Sequence, residues 1–275
     1  MHFYKYQATG NDFIIIDSRI EPVKLDADMV KQLCNRHFSI GSDGLIICAN
    51  SNTADAQMIF YNPDGSQAEM CGNGIRCLAA YIMDKGVIAS KAKQSSEIAT
   101  SPTAFCNDVS IETAAGIKTI KLNQGLYSVN MGAPQLDSEI HDYKLEVEGN
   151  TYTGIAVSMG NPHFVIFMES LKGLELTKIG PIIEKASLFK NKTNVEFVKV
   201  IANDEIDVVV WERGAGATLS CGTGACASLV ASVEHGLTQK KAKVNLPGGQ
   251  LVIEYIDDGS VLLTGPAEIV FEGDI

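Results

Sequence analysis

One block of sequence occurs twice in this chain, 150 residues apart. The first copy reads CGNGIRCLAAYIMDKG from Cys71 to Gly86 and the second CGTGACASLVASVEHG from Cys221 to Gly236. The same offset relates YNPDGSQAEM, which runs into Cys71, to WERGAGATLS, which runs into Cys221. It also relates GNDFIIID, starting at Gly10, to GNPHFVIF, starting at Gly160. Three blocks in one register imply an internally duplicated protein. The fold must then be two similar halves, each presenting one cysteine ahead of a glycine-rich turn.

A chain of 275 residues with 45% hydrophobic composition is long enough for each half to hold its own core. The net charge of -11 would repel a phosphate backbone, which argues against nucleic acid as a partner. No apolar run approaches a membrane span, and the opening MHFYKYQATGND has no hydrophobic signal region, so the expectation is a soluble, cytoplasmic protein with no membrane partner. Seven cysteines without a Cys-x-x-Cys pair favour neither a disulfide framework nor a structural zinc site. Cys34, Cys48, Cys77, Cys106 and Cys226 read as small buried hydrophobes.

Short β-branched and aromatic runs alternate with turn clusters: FIIID near Phe13, LIIC near Leu45, MIFYN near Met58, FVIF near Phe164, DVVVW near Asp207 and LVIEY near Leu251. Strands should dominate, with a few helices between them. The clearest helices begin at the two cysteine motifs. Ile75, Leu78, Ala79 and Ile82 share one face of the first, and Cys226, Leu229, Val230 and Val233 one face of the second. Gly86 and Gly236 can cap their C-termini, and the pattern suggests a central helix wrapped by strands. Ala89 to Thr103, rich in Ser, Ala, Lys and Thr, reads as a solvated loop. The polar turn Asn123, Gln124, Gly125 is the expected junction, giving domains of 1–123 and 124–265.

A cysteine at a helix N-terminus faces unpaired backbone amides and the positive end of the helix dipole, both of which favour thiolate. The dipole is worth about 0.3 to 2 kcal/mol, and one pKa unit about 1.4 kcal/mol, so the helix alone moves a thiol about one unit from roughly 8.5. A further neighbour is needed. His163 in GNPHF could stabilise a thiolate, whereas Glu212 in WERGAG would oppose one. One sulfur ionised and the other protonated is the state that inverts a carbon centre by two-base proton transfer. Gly72 with Gly74, and Gly222 with Gly224, would let backbone amides approach a carboxylate closely. Such donors gain in effect as charge moves onto the carboxylate oxygens.

Each piece alone has an ordinary explanation. A lone CGxG or GN turn is more often only a turn, His163 a packed histidine, and Glu212 with Arg213 a surface ion pair. Their joint placement at matching positions in both copies favours the catalytic reading.

At these residues the chain resembles the diaminopimelate epimerase family, through ATGNDFIIID, YNPDGSQAEMCGNGIRC, SMGNPHF, WERGAGATLSCGTGACAS and LTGPAEIVFEG. The resemblance implies an isomerase that interconverts LL- and meso-diaminopimelate on the route to lysine and peptidoglycan, with neither pyridoxal phosphate nor a metal. It implies that Cys71 and Cys221 are the acid/base pair, with His163 tuning Cys71 and Glu212 tuning Cys221. Gly72, Asn73, Gly222 and Thr223 would donate backbone bonds to the α-carboxylate. Asn11, Asn62, Asn161, Asn194 and Arg213 would bind the other polar groups, with Arg213 suited to the distal carboxylate and Glu212 to the α-ammonium. It further implies an α/β (α+β) fold of two pseudo-symmetric domains, each a strand-rich, barrel-like sheet around a central helix and closing on substrate. A C-terminal strand at about 266–275 would return to the first domain, and the enzyme would be a homodimer. Two positions depart from the family pattern: Gly44, where some members carry glutamine, and Ala217, where an acidic residue is common.

Three rivals remain. A proline or hydroxyproline racemase of the same fold would leave the donors of Asn62, Asn161, Asn194 and Arg213 unpaired, at about 1 to 3 kcal/mol for each buried group. A cysteine hydrolase using Cys71 and His163 leaves Cys221 idle. A non-catalytic amino-acid-binding protein would leave the α-hydrogen unexchanged. Two thiols flanking one carbon should also be prone to a disulfide, so that activity needs reductant.

Overall fold

The computed structural model describes residues 1–85 and 108–275. Gly86, Cys106 and the Ala89 to Thr103 stretch lie outside the described residues. The chain divides into two compact units, Met1–Val129 with Pro266–Ile275, and Asn130–Gly265. It is a strand-rich α+β protein with few helices.

The first unit runs β1 (His2–Ala8), β2 (Asn11–Asp17), α1 (Ala27–Cys34), β3 (Gly44–Ala49), β4 (Ala56–Tyr61), β5 (Gln67–Ala68), α2 (Gly72–Asp84), β6 (Asp108–Thr113), β7 (Gly116–Asn123) and β8 (Leu126–Asn130). Neighbouring strands pair antiparallel except β2 with β3 and β4 with β6, which are parallel. A parallel pair needs a crossover connection, and α1 and α2 supply the two. Asp26 starts α1 by accepting the Met29 N–H at 2.8 Å. Asn123, Gln124 and Gly125 form the tip of the β7–β8 hairpin, so the first unit extends past that turn.

The second unit runs β9 (Gln135–Leu136), β10 (Tyr143–Val147), β11 (Asn150–Ser158), β12 (Pro162–Phe167), α3 (Leu176–Glu184), β13 (Asn194–Ala202), β14 (Glu205–Glu212), β15 (Gly216–Thr218), α4 (Gly222–Glu234), β16 (Lys241–Leu246), β17 (Gly249–Tyr255) and β18 (Val261–Gly265). Here β12 with β13 and β14 with β16 are the parallel pairs, with α3 and α4 as crossovers. In the first unit, β19 (Glu268–Asp274) pairs antiparallel with β1.

The duplication is visible in strand register. Phe13 pairs with Gly44 as His163 pairs with Asn194. Leu45 pairs with Tyr61 as Val195 pairs with Trp211, and Phe60 with Ala68 as Val210 with Thr218. The offset is 150 throughout. After the central helices it falls to 133, where Ile111 beside Ala56 corresponds to Val244 beside Ile206.

Side-chain alternation sorts each sheet into an outer and an inner face. Ile14, Ile16, Leu45 and Ile47 pack outward with Val30, Leu33 and Cys34 of α1. Phe164, Ile166, Val195 and Phe197 pack outward with Ile179 and Ile183 of α3. The intervening positions, Phe13, Gly44 and Ile46, or His163, Asn194 and Glu196, therefore turn inward toward the central helix.

The central helices are not buried along one stripe, as the spacing predicted, but around most of their circumference. Every residue of α2 from Gly72 to Ile82 is buried, and so are all those of α4 from Gly224 to Ser232. A helix apolar on all sides belongs in a core, and full burial of Ile75, Leu78 and Ile82 contributes roughly 1.5 to 3 kcal/mol each. Val233, expected on the buried face, is only half-buried because it lies in the last turn. Buried hydroxyls are satisfied within the helix: Ser228 and Ser232 donate to the Gly224 and Ser228 carbonyls at 2.7 Å. Gly236, at φ +65°, ends α4; its N–H reaches the Val233 carbonyl and that of Leu237 reaches Ser232, the pairing of a Schellman cap.

Candidate active site

Cys71 and Cys221 are the N-cap residues of α2 and α4, in closely similar extended conformations: φ -131°, ψ 122° and φ -119°, ψ 110°. Glycines follow because the helix starts are crowded. A Cβ at Gly224 would lie 3.3 Å from the Cys221 sulfur, and one at Gly74 3.4 Å from the Cys71 Cβ. The described cysteines are all free thiols. Cys34, Cys48, Cys77 and Cys226 are buried, and burial pushes the Cys48 thiol up to about 12.

The two thiols have different partners. Cys71 is half-buried, and its Sγ accepts the Gly74 N–H at 3.4 Å. Cys221 is 5% exposed, with its Sγ 3.6 Å from the Thr223 hydroxyl. Burial, then the carboxylates of Glu212 and Glu196, hold the Cys221 thiol well above the ordinary range, and the Thr223 hydroxyl does not offset them. Glu212 is itself raised, by burial first, against hydrogen bonds from the Thr218 hydroxyl and the Cys221 thiol.

In the first unit Asn73 Nδ2 donates to Asn11 Oδ1 at 3.2 Å, and Asn11 Nδ2 donates to Asp43 at 2.7 Å. Asp43 and Asp12 are gathered by Arg36. In the second unit the equivalent pair is Asn161, whose Nδ2 donates to Thr223 Oγ1 at 3.2 Å. Asn161 Oδ1 lies 3.1 Å from His163 Nε2, and His163 Nδ1 lies 2.7 Å from Glu196 Oε1. Asn194 bridges two loops: Nδ2 donates to the Pro162 carbonyl at 2.8 Å and Oδ1 accepts the Arg213 N–H at 2.9 Å. The Arg213 side chain is exposed, donating to the Asn191 carbonyl at 3.2 Å. Asn62, at the end of β4, donates to Ser66 Oγ at 3.0 Å and to none of the other expected site residues. A cleft of about 770 Å³ in the second unit is walled in part by Gly160, Pro162, His163 and Arg213, while Cys221 is not among its lining.

Among the described residues, His141, Asp142 and His235 are the cluster with ligand atoms suited to a metal, all within 4.8 Å of one another. Both His235 nitrogens are engaged, by the Ala231 carbonyl at 2.9 Å and Asp142 at 2.8 Å. Its ring is stacked on His141 at an interplanar angle of 7°, and parallel rings do not aim their lone pairs at one ion.

The paired N-cap cysteines, with an asparagine bonded to the second residue after each, form one repeated motif. The family model described as diaminopimelate epimerase matches residues 3–136 and 155–270, which include both copies. The chain belongs to the diaminopimelate epimerase family. It is 44% identical over 292 aligned positions to the diaminopimelate epimerase of Desulfitobacterium hafniense, covering 99% of this chain and 97% of that protein. It is 45% identical over 291 positions to that of Elusimicrobium minutum, covering 99% and 98%. Among solved structures, a phenazine biosynthesis protein of the PhzF family from Bacillus anthracis has a TM-score of 0.73 at 15% identity, covering 100% of this chain and 98% of that one. A probable proline racemase from Agrobacterium radiobacter has a TM-score of 0.71 at 13% identity, covering 100% and 92%. At such identities these two share the fold alone.

Within the diaminopimelate epimerase family, Gly44 here has a structural reason. A Cβ at this position would lie 2.6 Å from the Phe60 ring and 3.0 Å from the Tyr61 carbonyl, so the ring takes the volume a longer side chain needs. Ala217 is exposed beside Thr218, which holds Glu212. Sequence reasoning missed Glu196, a fully buried acid in the apolar strand β13. The signal was available in NVEFV, where Glu196 stands 150 residues after Ile46. It also missed Arg76, fully buried inside α2, which donates to the Gly72 carbonyl at 3.2 Å and the Pro266 carbonyl at 3.4 Å.

Proposed function

We propose that this member of the family interconverts LL- and meso-diaminopimelate by two-base proton transfer between Cys71 and Cys221, without an organic cofactor or a metal. The observation that carries the reading is the pair of thiols capping two equivalent helices in one backbone conformation. One sulfur, as thiolate, takes the α-hydrogen as a proton, and the electron pair left on the α-carbon delocalises into the α-carboxylate. The other, as thiol, delivers its proton to the opposite face, which inverts the centre and exchanges the protonation states of the two sulfurs. Backbone N–H groups of Gly72, Asn73, Gly222 and Thr223 hold the carboxylate and gain in effect as it becomes more negative. Glu212 takes the α-ammonium, Arg213 the distal carboxylate, and Asn11, Asn62, Asn161 and Asn194 the remaining polar atoms. His163 tunes Cys71 and Glu212 tunes Cys221. The enzyme is cytoplasmic and homodimeric; exposed Ile269, Val270 and Phe271 on β19 offer apolar surface for a second copy.

Diaminopimelate recovered from heavy water should carry deuterium at the inverted α-carbon. Cys71→Ala and Cys221→Ala should each lower kcat by about 10²- to 10⁴-fold, the usual contribution of one acid/base group. Retention of activity in Cys221→Ala would point to a hydrolase using Cys71 alone, and faster turnover of proline would point to a racemase.

A further inference from the structure

The second unit buries a histidine and a carboxylate against each other at positions that are apolar in the first. His163 and Glu196 are in contact at 2.7 Å with both side chains fully shielded from solvent. At the equivalent inner-face positions, 150 residues earlier, stand Phe13 and Ile46. A carboxylate and an imidazole at a depth where the first unit has two apolar side chains carry a desolvation cost, so packing alone does not explain them.

The carboxylate of Glu196 does not only face His163. A Cβ at Gly224, in the first turn of α4, would lie 2.6 Å from Glu196 Oε1, so the glycine makes room for the carboxylate beneath the helix start. At the matching place in the first unit, a Cβ at Gly74 would lie 3.2 Å from the Ile46 Cδ1 and Met58 Cε methyls. Glu196 Oε2 is buried with no hydrogen-bond partner, which leaves the carboxylate's charge to interact with its surroundings at short range. Oxygen atoms face both nitrogens of His163, Glu196 at Nδ1 and Asn161 at Nε2.

A helix N-terminus favours negative charge. In the first unit an apolar side chain lies under that end, leaving it to Cys71. In the second, a carboxylate is already there. We propose that Glu196 is a positioning residue for the second cysteine: lodged against the first turn of α4 and tied to His163, it occupies the electropositive helix end and keeps Cys221 in the protonated, proton-donating form between turnovers. The charged groups around this thiol are Glu196 on β13 and Glu212 on β14, with His163 on β12 beside both carboxylates; α4 brings no acidic side chain in its first turn. Burial and both carboxylates act on Cys221 in the same direction. The inference rests on the two-cysteine reading for its catalytic meaning, but not for its test.

The test is the pH dependence of Cys221 alkylation by iodoacetamide, followed by peptide mass spectrometry in wild type and Glu196→Gln. Removing the anion while keeping the shape favours thiolate, so the Cys221 midpoint should move to lower pH in a variant whose thermal melt remains cooperative. An unmoved or raised midpoint overturns the proposal. Epimerisation by the same variant should fall about 10- to 100-fold in kcat, the usual cost of losing a partner that orients a functional group. If the midpoint moves while wild type neither epimerises nor labels diaminopimelate, Glu196 holds its role and the functional reading fails instead. If Glu196→Gln does not fold, nitrogen-15 NMR of the wild-type His163 ring decides. A proton on Nδ1, bonded to Glu196, supports the arrangement, and a bare Nδ1 overturns it.

Discussion

Asn161 donates its side-chain amide to the Thr223 hydroxyl at 3.2 Å, two residues beyond the cysteine that caps α4. In the first unit a bond of the same length joins the matching positions, with the Asn73 amide on the helix donating to Asn11 Oδ1. Each ties a glycine-rich turn to the first residues of a central helix. Thr223→Val keeps the shape and removes the acceptor. A bond worth about 0.5 to 1.5 kcal/mol predicts a fall of about 2- to 10-fold in kcat/KM, and Thr223→Ser should restore it. Steady-state kinetics on the three proteins check this.

The two helix starts should tolerate a methyl group unequally. At Gly74 the obstructing atoms are the flexible ends of Ile46 and Met58 at 3.2 Å, whereas at Gly224 the obstruction is a held carboxylate oxygen at 2.6 Å. Gly224→Ala should therefore cost about 1 to 3 kcal/mol, the usual range for overpacking, and Gly74→Ala less. Urea unfolding midpoints with unchanged slopes would measure the difference; equal losses would contradict it.

The buried pair should show its cost in stability. Glu196→Ile alone leaves a buried His163 ring nitrogen without its partner and should lose about 1 to 3 kcal/mol. Combining it with His163→Phe copies Ile46 and Phe13 of the first unit. The paired variant should recover most of that loss, or exceed wild type, because replacing both buried polar partners by well-packed apolar groups is often neutral or stabilising. It should nevertheless be inactive. Denaturant titrations of both variants, beside an epimerisation assay, test the two statements separately.

Acid should weaken the first unit through Asp12. Burial alone would raise its carboxyl, but hydrogen bonds from Arg36 and Lys5 outweigh that and hold it at about 2. Lys5 donates in turn to the Gly41 carbonyl. The folded value lies below an unfolded value of about 3.9, so the stabilisation is complete above about pH 5 and is lost as pH falls toward 2. It amounts to on the order of 2 kcal/mol. Asp12→Asn should lose it already at neutral pH, so the two proteins should converge in stability as pH falls from 5 to 2.

The sequence by itself determined the duplication, six of the strands and the two N-cap cysteines, because those signals are local: β-branched runs, glycine turns and one offset. It also supplied the family, through motifs whose order runs the length of the chain. The helix α1 is legible in Asp26 followed by Val30, Leu33 and Cys34. The helix α3 was hidden by Gly180 and Pro181 within it. Gly180 is needed there because a Cβ would strike the Trp211 indole at 2.5 Å, and Trp211 is distant in sequence. Only the tertiary structure decided that Glu196 meets His163 and that the Arg76 side chain is buried. Both depend on which strands and segments become neighbours across crossovers, and on which face each residue turns inward. Composition gives the charge of Glu196 but not its depth, and burial without solvent is what lets one carboxylate bias the thiol beside it.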